Sequence, residues 1–423
     1  MKKLASILMA LALLCSCSKA VIEELNTDPT DLQKEEQPTP LLLSLSPEMR
    51  SLLAPGNDFA MRFLKEVSNE YANENLFLSP YSLACALGML YNGAEGETKE
   101  EIAAAMSMAG YAPEALNNYF QTMTQALLSI DPITDLGVAN ALWSDIHFPI
   151  KNNFINQLHT YYDADATTMD FSHPSAIKAI NDWGYEKTKG TIPEIVEEIA
   201  PPLVLANAVY FKSAWRVSFD KSNTVSKPFY NSNGTTSTVQ MMHQKELMLN
   251  YAHTSDYEFI RLPYGNDAFA MNILLPKEGV DIEEVVESLD NAAWGSIMNA
   301  MRVHTAHVTL SMPRFTLEKN DYFLNNVLME MGMSRAFAIN AQFGAISDYF
   351  PLFVDKIMQK SYIDVNEEGT EASAVTVISM VTLPGGPLPP PEYVTVVVNR
   401  PFLFAITEQS TNAILFIGKV IKL

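Results

Sequence analysis

Apolar residues are distributed along the chain in patterns that predict both helices and strands. They recur at helical spacing over 59–67, which predicts an amphipathic helix. Over 83–90 they surround the whole helix, which predicts a helix buried on every side, ending at the glycines of 93–96. The continuous apolar run 203–215 is typical of a central strand. Shorter runs predict further strands at 239–242, 260–264 and 271–276.

The N-terminal residues have the pattern of a secretory signal peptide. Lys2 and Lys3 precede an apolar run over 4–14 that is too short to span a bilayer as a helix. The sequence around Cys17 resembles a bacterial lipobox, with Leu14 three residues upstream and a small serine just before the cysteine. Cys15 fits poorly because Leu14 directly precedes it. An ordinary signal peptide with incidental cysteines is the alternative.

We therefore predict a signal peptide over 1–16 and a lipidated Cys17 that begins a flexible acidic tether over 17–45. Between residues 18 and 43 the acidic side chains outnumber the lysines, and three prolines interrupt the chain. Early acidic residues after the cysteine resemble the surface-export signal of Bacteroidetes lipoproteins. This predicts a secreted lipoprotein, held by its lipid at the outer membrane or cell surface of a Gram-negative bacterium.

Composition narrows the choice of partners. The 423 residues are 48% hydrophobic, which suits a large core in one or two domains. The formal net charge of −21 argues against nucleic acid as a partner, because phosphates repel such a chain. Beyond the N-terminus Cys85 is the only cysteine, so no disulfide framework is predicted within the domain.

The segment 367–391 combines two opposite tendencies. Its first half has small and then β-branched residues, which suit a strand. Its second half carries five prolines, which remove backbone donors and exclude an interior strand. Such a segment is either a functional loop that contains a latent strand or an edge strand followed by a disordered linker.

The first residues of this segment resemble the hinge of the serpins, a family of serine protease inhibitors. Further motifs resemble serpin sequences in the same order, at 75–98, 183–192, 203–215, 310–315, 324–332, 399–404 and 414–420. The resemblance covers about 46–423. It implies an α+β fold with three β-sheets, eight to nine helices and an exposed reactive-centre loop over about 367–398. The hinge comprises Glu367, Glu368, Gly369, Thr370, Glu371, Ala372, Ser373 and Ala374.

The resemblance also implies a mechanism. A protease cuts the loop, becomes acylated, and is dragged across the protein as the hinge enters the main sheet as an added strand. One alternating set in the hinge, beginning at Thr370, Ala372 and Ala374, is small and uncharged, as an inserting strand requires. We therefore expect a monomeric suicide-substrate inhibitor that forms a covalent acyl complex. The alternative is a non-inhibitory binding protein with the serpin fold, located at the cell surface.

Five further residues acquire roles through the resemblance. Ser79, Ser82, Asn207 and Gln359 match the shutter, a polar cluster under the main sheet, and Gln359 stands where the family often has histidine. Trp215 matches the breach at the top of the sheet, where the loop first inserts. Ser79 is alternatively a simple helix cap, and Trp215 a plain core aromatic. A buried Asn207 must be hydrogen-bonded.

The bond that proteases cut is predicted near the middle of the loop. Counting about sixteen residues on from Glu367, the family's spacing, reaches Leu383, but Pro384 follows and most serine proteases cut poorly before proline. The segment 369–399 contains no lysine or arginine, which disfavours trypsin-like targets. We expect elastase-like or chymotrypsin-like serine proteases, with papain-like cysteine proteases also open. The candidates for the reactive bond are Met380, Val381, Thr382, Leu383 and Pro384.

The sequence shows no sign of an enzyme, a cofactor or a metal site. It contains no Gly-x-Ser-x-Gly elbow, phosphate-binding glycine loop or His-Glu-x-x-His. His304 and His307 fall in an apparently alternating run, where positions three apart face opposite ways. A metal shared by these two histidines is therefore not expected.

Overall fold

A computed structural model describes residues 42–370 and 392–423, without the side chains of 319–321. The helices are α1 Pro47–Ser51, α2 Leu53–Glu70, α3 Pro80–Gly93, α4 Gly96–Ala105, α5 Pro113–Leu127, α6 Asn152–Tyr162, α7 Pro174–Lys187, α8 Ile282–Ser288, α9 Asn291–Val303 and α10 Asn325–Glu330. Short 3-10 helices lie at Lys221–Asn223 and Arg335–Phe337.

The strands lie mainly in the second half of the chain. They are β1 Leu76–Leu78, β2 Asp135–Asp145, β3 Asp165–Met169, β4 Leu203–Ala214, β5 Val225–Tyr230, β6 Thr236–His253, β7 Tyr257–Pro263, β8 Phe269–Pro276, β9 Thr305–Pro313, β10 Phe315–Phe323, β11 Val354–Val365, β12 Gly369–Thr370, β13 Tyr393–Val397, β14 Phe402–Glu408 and β15 Ile414–Val420. The predicted α+β class is confirmed.

The described strands form two hydrogen-bonded sheets. One has six strands in the order β10-β11-β12-β4-β2-β3. The other has nine, in the order β1-β15-β14-β8-β7-β6-β9-β13 with β5 beside β6. The resemblance implied three sheets. The 18-residue β6 pairs in turn with β5, β9 and β7 and so joins two of them into one continuous ladder.

The number of helices also fits the expectation. The described ranges contain ten α-helices, but only Leu52 separates α1 from α2, so the pair counts as one interrupted helix. No helix in these ranges is both long and apolar enough to cross a membrane.

The buried helix and the central strand appear where the apolar pattern predicts them. Every residue of α3 is buried, and Pro80 occupies its first turn, where no backbone donor is needed. β4 is buried along its length except at Lys212. The two elements pack against each other. Ser79 and Ser82 belong to the start of α3, and Asn207 belongs to β4.

One predicted strand is confirmed but is longer than expected, and one local expectation is wrong. The short strand predicted at 239–242 is part of the much longer β6. A bulge at Lys245 and Glu246 exposes polar side chains and breaks the apolar pattern there. His304 does not lie in a strand. It ends α9 as its C-cap, and β9 begins one residue later.

Candidate functional site

The first described residues of the predicted hinge lie between two strands of the six-stranded sheet. β4 and β11 run parallel and pair directly from Leu203 to Ala208 of β4. Toward the C-terminal ends of these two strands, β12 separates them. Thr370 pairs with Val365 of β11, and β12 pairs antiparallel with the last residues of β4. The space that an added strand would fill is therefore already open at one end.

Trp215 fastens this end of the sheet to the hinge. Its backbone N donates to the carbonyl oxygen of Glu368 at 2.9 Å, and its indole Nε1 donates to that of Asn366 at 2.8 Å. The ring is buried and stacks on Tyr264, with centroids 4.4 Å apart and planes 11° from parallel. Trp215 is thus a core aromatic that also anchors the chain leading into the loop.

Thr370 is completely buried, and its hydroxyl lies 2.7 Å from that of Tyr264. Gly369 has a φ of 150°, a backbone conformation that residues with a Cβ rarely adopt. A small hydroxylated residue after a glycine therefore suits this position.

The carboxylate of Glu367 is buried and forms an ion pair with Arg314, whose side chain is partly exposed. Its Oε2 lies 2.6 Å from Nη2 of Arg314, and its Oε1 accepts from Nε of Arg314 at 2.7 Å and from the hydroxyl of Thr224. Only 1% of the Glu367 side chain is exposed. Burial alone would raise the pKa of Glu367, but the hydrogen bonds from Arg314 and Thr224 outweigh it and hold the pKa below its ordinary value.

The ion pair of Glu367 predicts acid-dependent stability. Because the pKa of Glu367 is lower in the folded state, its contribution is present above the unfolded value of about 4.3 and is lost as the pH falls through the folded value. Near neutral pH we expect the wild type to unfold at a higher urea concentration than Glu367→Gln. The difference between the two midpoint concentrations should narrow below about pH 4. The exposed Glu246→Gln is the control. A difference that does not change with pH would contradict this assignment.

Three amide side chains line up across the middle of the same sheet. Asn140 of β2, Asn207 of β4 and Gln359 of β11 are direct cross-strand partners. Asn207 Nδ2 donates to Oδ1 of Asn140 at 2.7 Å, and Gln359 Nε2 donates to Oδ1 of Asn207 at 3.1 Å. All three are buried. They form a transverse polar row in the region where β4 and β11 still pair.

The two serines connect this row to the helix beneath it. Ser79 N donates to Gln359 Oε1 at 2.8 Å, and Gln359 Nε2 donates to the carbonyl of Ser79 at 2.9 Å. Asn207 Nδ2 donates to Oγ of Ser82. Ser79 also caps α3, and its hydroxyl donates to the carbonyl of Leu415 in β15 at 2.8 Å. Both interpretations of Ser79, as a cap and as part of the polar cluster, therefore hold.

Some site residues lie outside the described residues, and the sequence analysis missed others. Three groups lie outside the described residues: the hinge residues Glu371, Ala372, Ser373 and Ala374, the reactive-bond candidates from Met380 to Pro384, and Cys17. Their roles stay predictions. The missed residues are Asn140, Tyr264, Arg314 and Thr224. Asn140 had a signal, because it is the one polar residue in the run 138–143.

The described histidines, cysteine and carboxylates nowhere form a group of three or more that could hold a metal ion. His304 pairs instead with Glu392, with 2.7 Å between Nε2 and Oε2. His307 stacks on Tyr393, the first residue of β13. These histidines therefore contact the chain where it returns from the loop to the sheet.

This arrangement has close counterparts among known proteins. The family model described as "Serpin (serine protease inhibitor)" matches residues 54–423. A serpin-like protein of Thermococcus kodakarensis is 33% identical over 407 residues, covering 94% of this chain and 89% of the relative. Leukocyte elastase inhibitor of Xenopus laevis is 32% identical, covering 88% of this chain and 99% of the relative.

A solved structure agrees with the sequence relatives. The native thermophilic serpin tengpin is 29% identical and superposes with a TM-score of 0.79, covering 92% of this chain and 97% of that one. The chain belongs to the serpin family. The family includes protease inhibitors, such as the Xenopus laevis protein.

Proposed function

We propose that the protein is a suicide-substrate inhibitor that traps its target protease by inserting the cleaved loop into the six-stranded sheet. The observation that carries the proposal is the position of Thr370, buried between β4 and β11 and paired with both. An inserting chain would extend β12 from Thr370 along β4, toward Leu203 at the start of β4. It would gain backbone hydrogen bonds on both sides, which no surface loop can do.

The covalent step follows the chemistry of the protease. Its serine or cysteine gives its proton to the catalytic histidine of the protease and attacks the carbonyl carbon of the reactive bond. The C–N bond then breaks, and the leaving amine takes that proton from the histidine. The N-terminal part of the loop then remains as an acyl group on the protease. Insertion displaces the attached protease before water hydrolyses the acyl bond.

The loop sequence supports elastase-like or chymotrypsin-like targets. The segment from 369 to 399 offers apolar and small residues and no cation. Met380, Val381 and Leu383 suit an apolar specificity pocket, the small Thr382 suits a narrow one, and Pro384 disfavours cleavage after Leu383. The similarity to an elastase inhibitor supports the same class.

Incubation of the purified protein with pancreatic elastase, chymotrypsin and papain tests this function. We expect a complex with elastase or chymotrypsin that survives denaturing electrophoresis, together with a released C-terminal peptide. The mass of that peptide identifies the cleaved bond. Cleavage by all three proteases without any stable complex would contradict inhibition. An uncut loop would contradict the proposed target classes and favour a binding protein.

We further propose that Cys17 carries the lipid that attaches the protein to a membrane. Several acyl chains on one cysteine anchor stably, because each buried methylene contributes about 0.8 kcal/mol. Cys17→Ala is expected to abolish incorporation of labelled palmitate and to release the protein from the membrane fraction. Cys15→Ala is the matched control and should leave both unchanged. Loss of labelling in Cys15→Ala alone would overturn the assignment to Cys17.

A further inference from the structure

The strand that follows the loop carries one end of a row of large, exposed side chains. Tyr393, the first residue of β13, lies opposite His307 of β9, and His307 lies opposite Met248 of β6. Directly opposed residues share one face of a sheet. Tyr393 is 66% exposed and Met248 is 63% exposed, and the Tyr393 ring stacks on that of His307 with centroids 4.9 Å apart. The three side chains therefore form a strip across three strands.

A second row lies four residues further along β13 and β9. Val397 is opposite Ser311, and Ser311 is opposite His243, whose Nδ1 lies 3.0 Å from the Ser311 hydroxyl. Val397 is 37% exposed, whereas Val396 beside it is buried and belongs to the other face of the strand. Both rows therefore lie on the solvent-facing side of the same three strands.

The composition of the two rows is typical of a docking surface. Their six residues are a tyrosine, a methionine, a valine, a serine and two histidines, and none is a carboxylate, a lysine or an arginine, although the chain has a formal net charge of −21. Protein interfaces are enriched in tyrosine and methionine and depleted in lysine and carboxylates. Single exposed apolar residues are ordinary, but a contiguous set of them indicates a contact with another molecule.

The position of the two rows indicates which molecule that is. β13 is the outermost strand of the nine-stranded sheet in the described part of the chain, and it begins where the chain returns from the loop. Tyr393 is ten residues beyond Leu383, and ten residues reach at most about 35 Å. A protease of about 240 residues is roughly 45 Å across. A protease bound at the reactive bond therefore lies within its own width of the rows.

We propose that the two rows are a second contact surface for the protease that attacks the loop. Tyr393 and Met248 pack against apolar surface beside the active site of the protease, and His307 fixes the orientation of the tyrosine ring. This contact strengthens the complex that forms before any bond is cut, and it takes no part in insertion. The inference rests on the proposed function for the identity of the partner, but it requires only that the protease binds the loop and not that it becomes trapped.

Binding to chymotrypsin and pancreatic elastase whose catalytic serine is replaced by alanine measures docking without cleavage. Tyr393→Ala and Met248→Glu should each raise the Kd at least about fivefold for whichever protease binds the wild type more tightly. Tyr393→Phe keeps the stacked ring and should retain the wild-type Kd. Ile339→Glu is the matched control, because it places the same charge at a similarly exposed apolar position, after the 3-10 helix that packs against α4.

The active proteases provide a second readout, because a contact made only in docking changes binding and not the later steps. In Tyr393→Ala and Met248→Glu, the concentration of the protein at which loop cleavage reaches half of its limiting rate should rise. The limiting rate and the fraction of protease trapped should stay unchanged. A fall in either would mean that the substitutions loosen β13, and it would contradict the proposal.

Two further outcomes separate this inference from the proposed function. Unchanged Kd values in both variants, or no measurable binding of the wild type to either inactive protease, would overturn the docking surface. Weaker binding of both variants, together with cleavage by the active proteases that leaves no stable complex, would support the docking surface and contradict inhibition alone.

Discussion

Thr370→Arg is expected to turn the protein from an inhibitor into a substrate. Thr370 is fully buried between β4 and β11, and its hydroxyl contacts that of Tyr264. An arginine there would have to bury an unpaired charge, which costs several kcal/mol, or stay outside the sheet. Insertion could then not proceed past its first residues. Cleavage of the loop, which needs only access to the chain, should continue.

The measurement is the number of inhibitor molecules consumed per protease inactivated, followed on denaturing gels. We expect this ratio to rise at least about tenfold, corresponding to about 1.4 kcal/mol in the competition between insertion and hydrolysis. Thr395→Arg, the same exchange at an exposed position of β13, is the matched control and should trap normally. Thr370→Ser should also retain trapping. Unchanged trapping by Thr370→Arg would mean that the hinge does not enter the sheet at this position.

Asn207→Ala is expected to produce the largest loss of stability among single changes in the shutter. The alanine can no longer accept the hydrogen bond from the Gln359 amide, nor donate to Oδ1 of Asn140 and Oγ of Ser82. All three of these partner residues are buried. Each unsatisfied buried group costs about 1–3 kcal/mol, so a total of roughly 3 kcal/mol is expected after local rearrangement. Chemical denaturation measures the loss. Asn156→Ala, on the exposed face of α6, is the control and should change stability by less than about 0.5 kcal/mol.

A second readout separates the role of Asn207 in the sheet from a general packing role. Without the Asn207–Gln359 bond, β4 and β11 should part more easily. Inhibitory activity should then decay faster during incubation without protease, because the uncut loop enters the sheet. A destabilised variant that keeps its activity as long as wild type would contradict a role in holding the strands together.

Elements with strong local patterns were predictable from sequence. α3 and β4 are buried almost throughout, so their apolar runs identify them without reference to the rest of the chain. β6 was only partly predictable. Its bulge at Lys245 and Glu246 interrupts the apolar pattern, and the strand changes partners along its length. Hydrogen-bonding partners of this kind depend on tertiary structure and leave little trace in local sequence.

The candidate site was likewise predictable from the sequence only in part. The hinge stands out because small residues follow one another in a single segment, and Asn207 because it interrupts an apolar run. The partners of the hinge do not stand out, because they come from distant parts of the chain. Tyr264 lies 106 residues from Thr370, and Arg314 lies 53 residues from Glu367. Tyr264 directly follows β7, and Arg314 lies between β9 and β10. Nothing in the sequence around an aromatic or a basic residue at such a position indicates which distant residue it will contact in the folded protein.

On the proposed mechanism, the two residues of β12 would be the nucleus of the inserting strand, already paired with β4 and β11. Forming the first pairs of a new strand is normally the slowest stage of insertion, because chain entropy is lost before enough hydrogen bonds form to offset it. Here that start is present before any protease arrives. The speed of closure should then depend on how readily β4 and β11 separate at Asn207 and Gln359. If the proposal holds, substitutions at 367–370 should decide whether insertion can begin, and substitutions at Asn207 and Gln359 should decide how fast it proceeds.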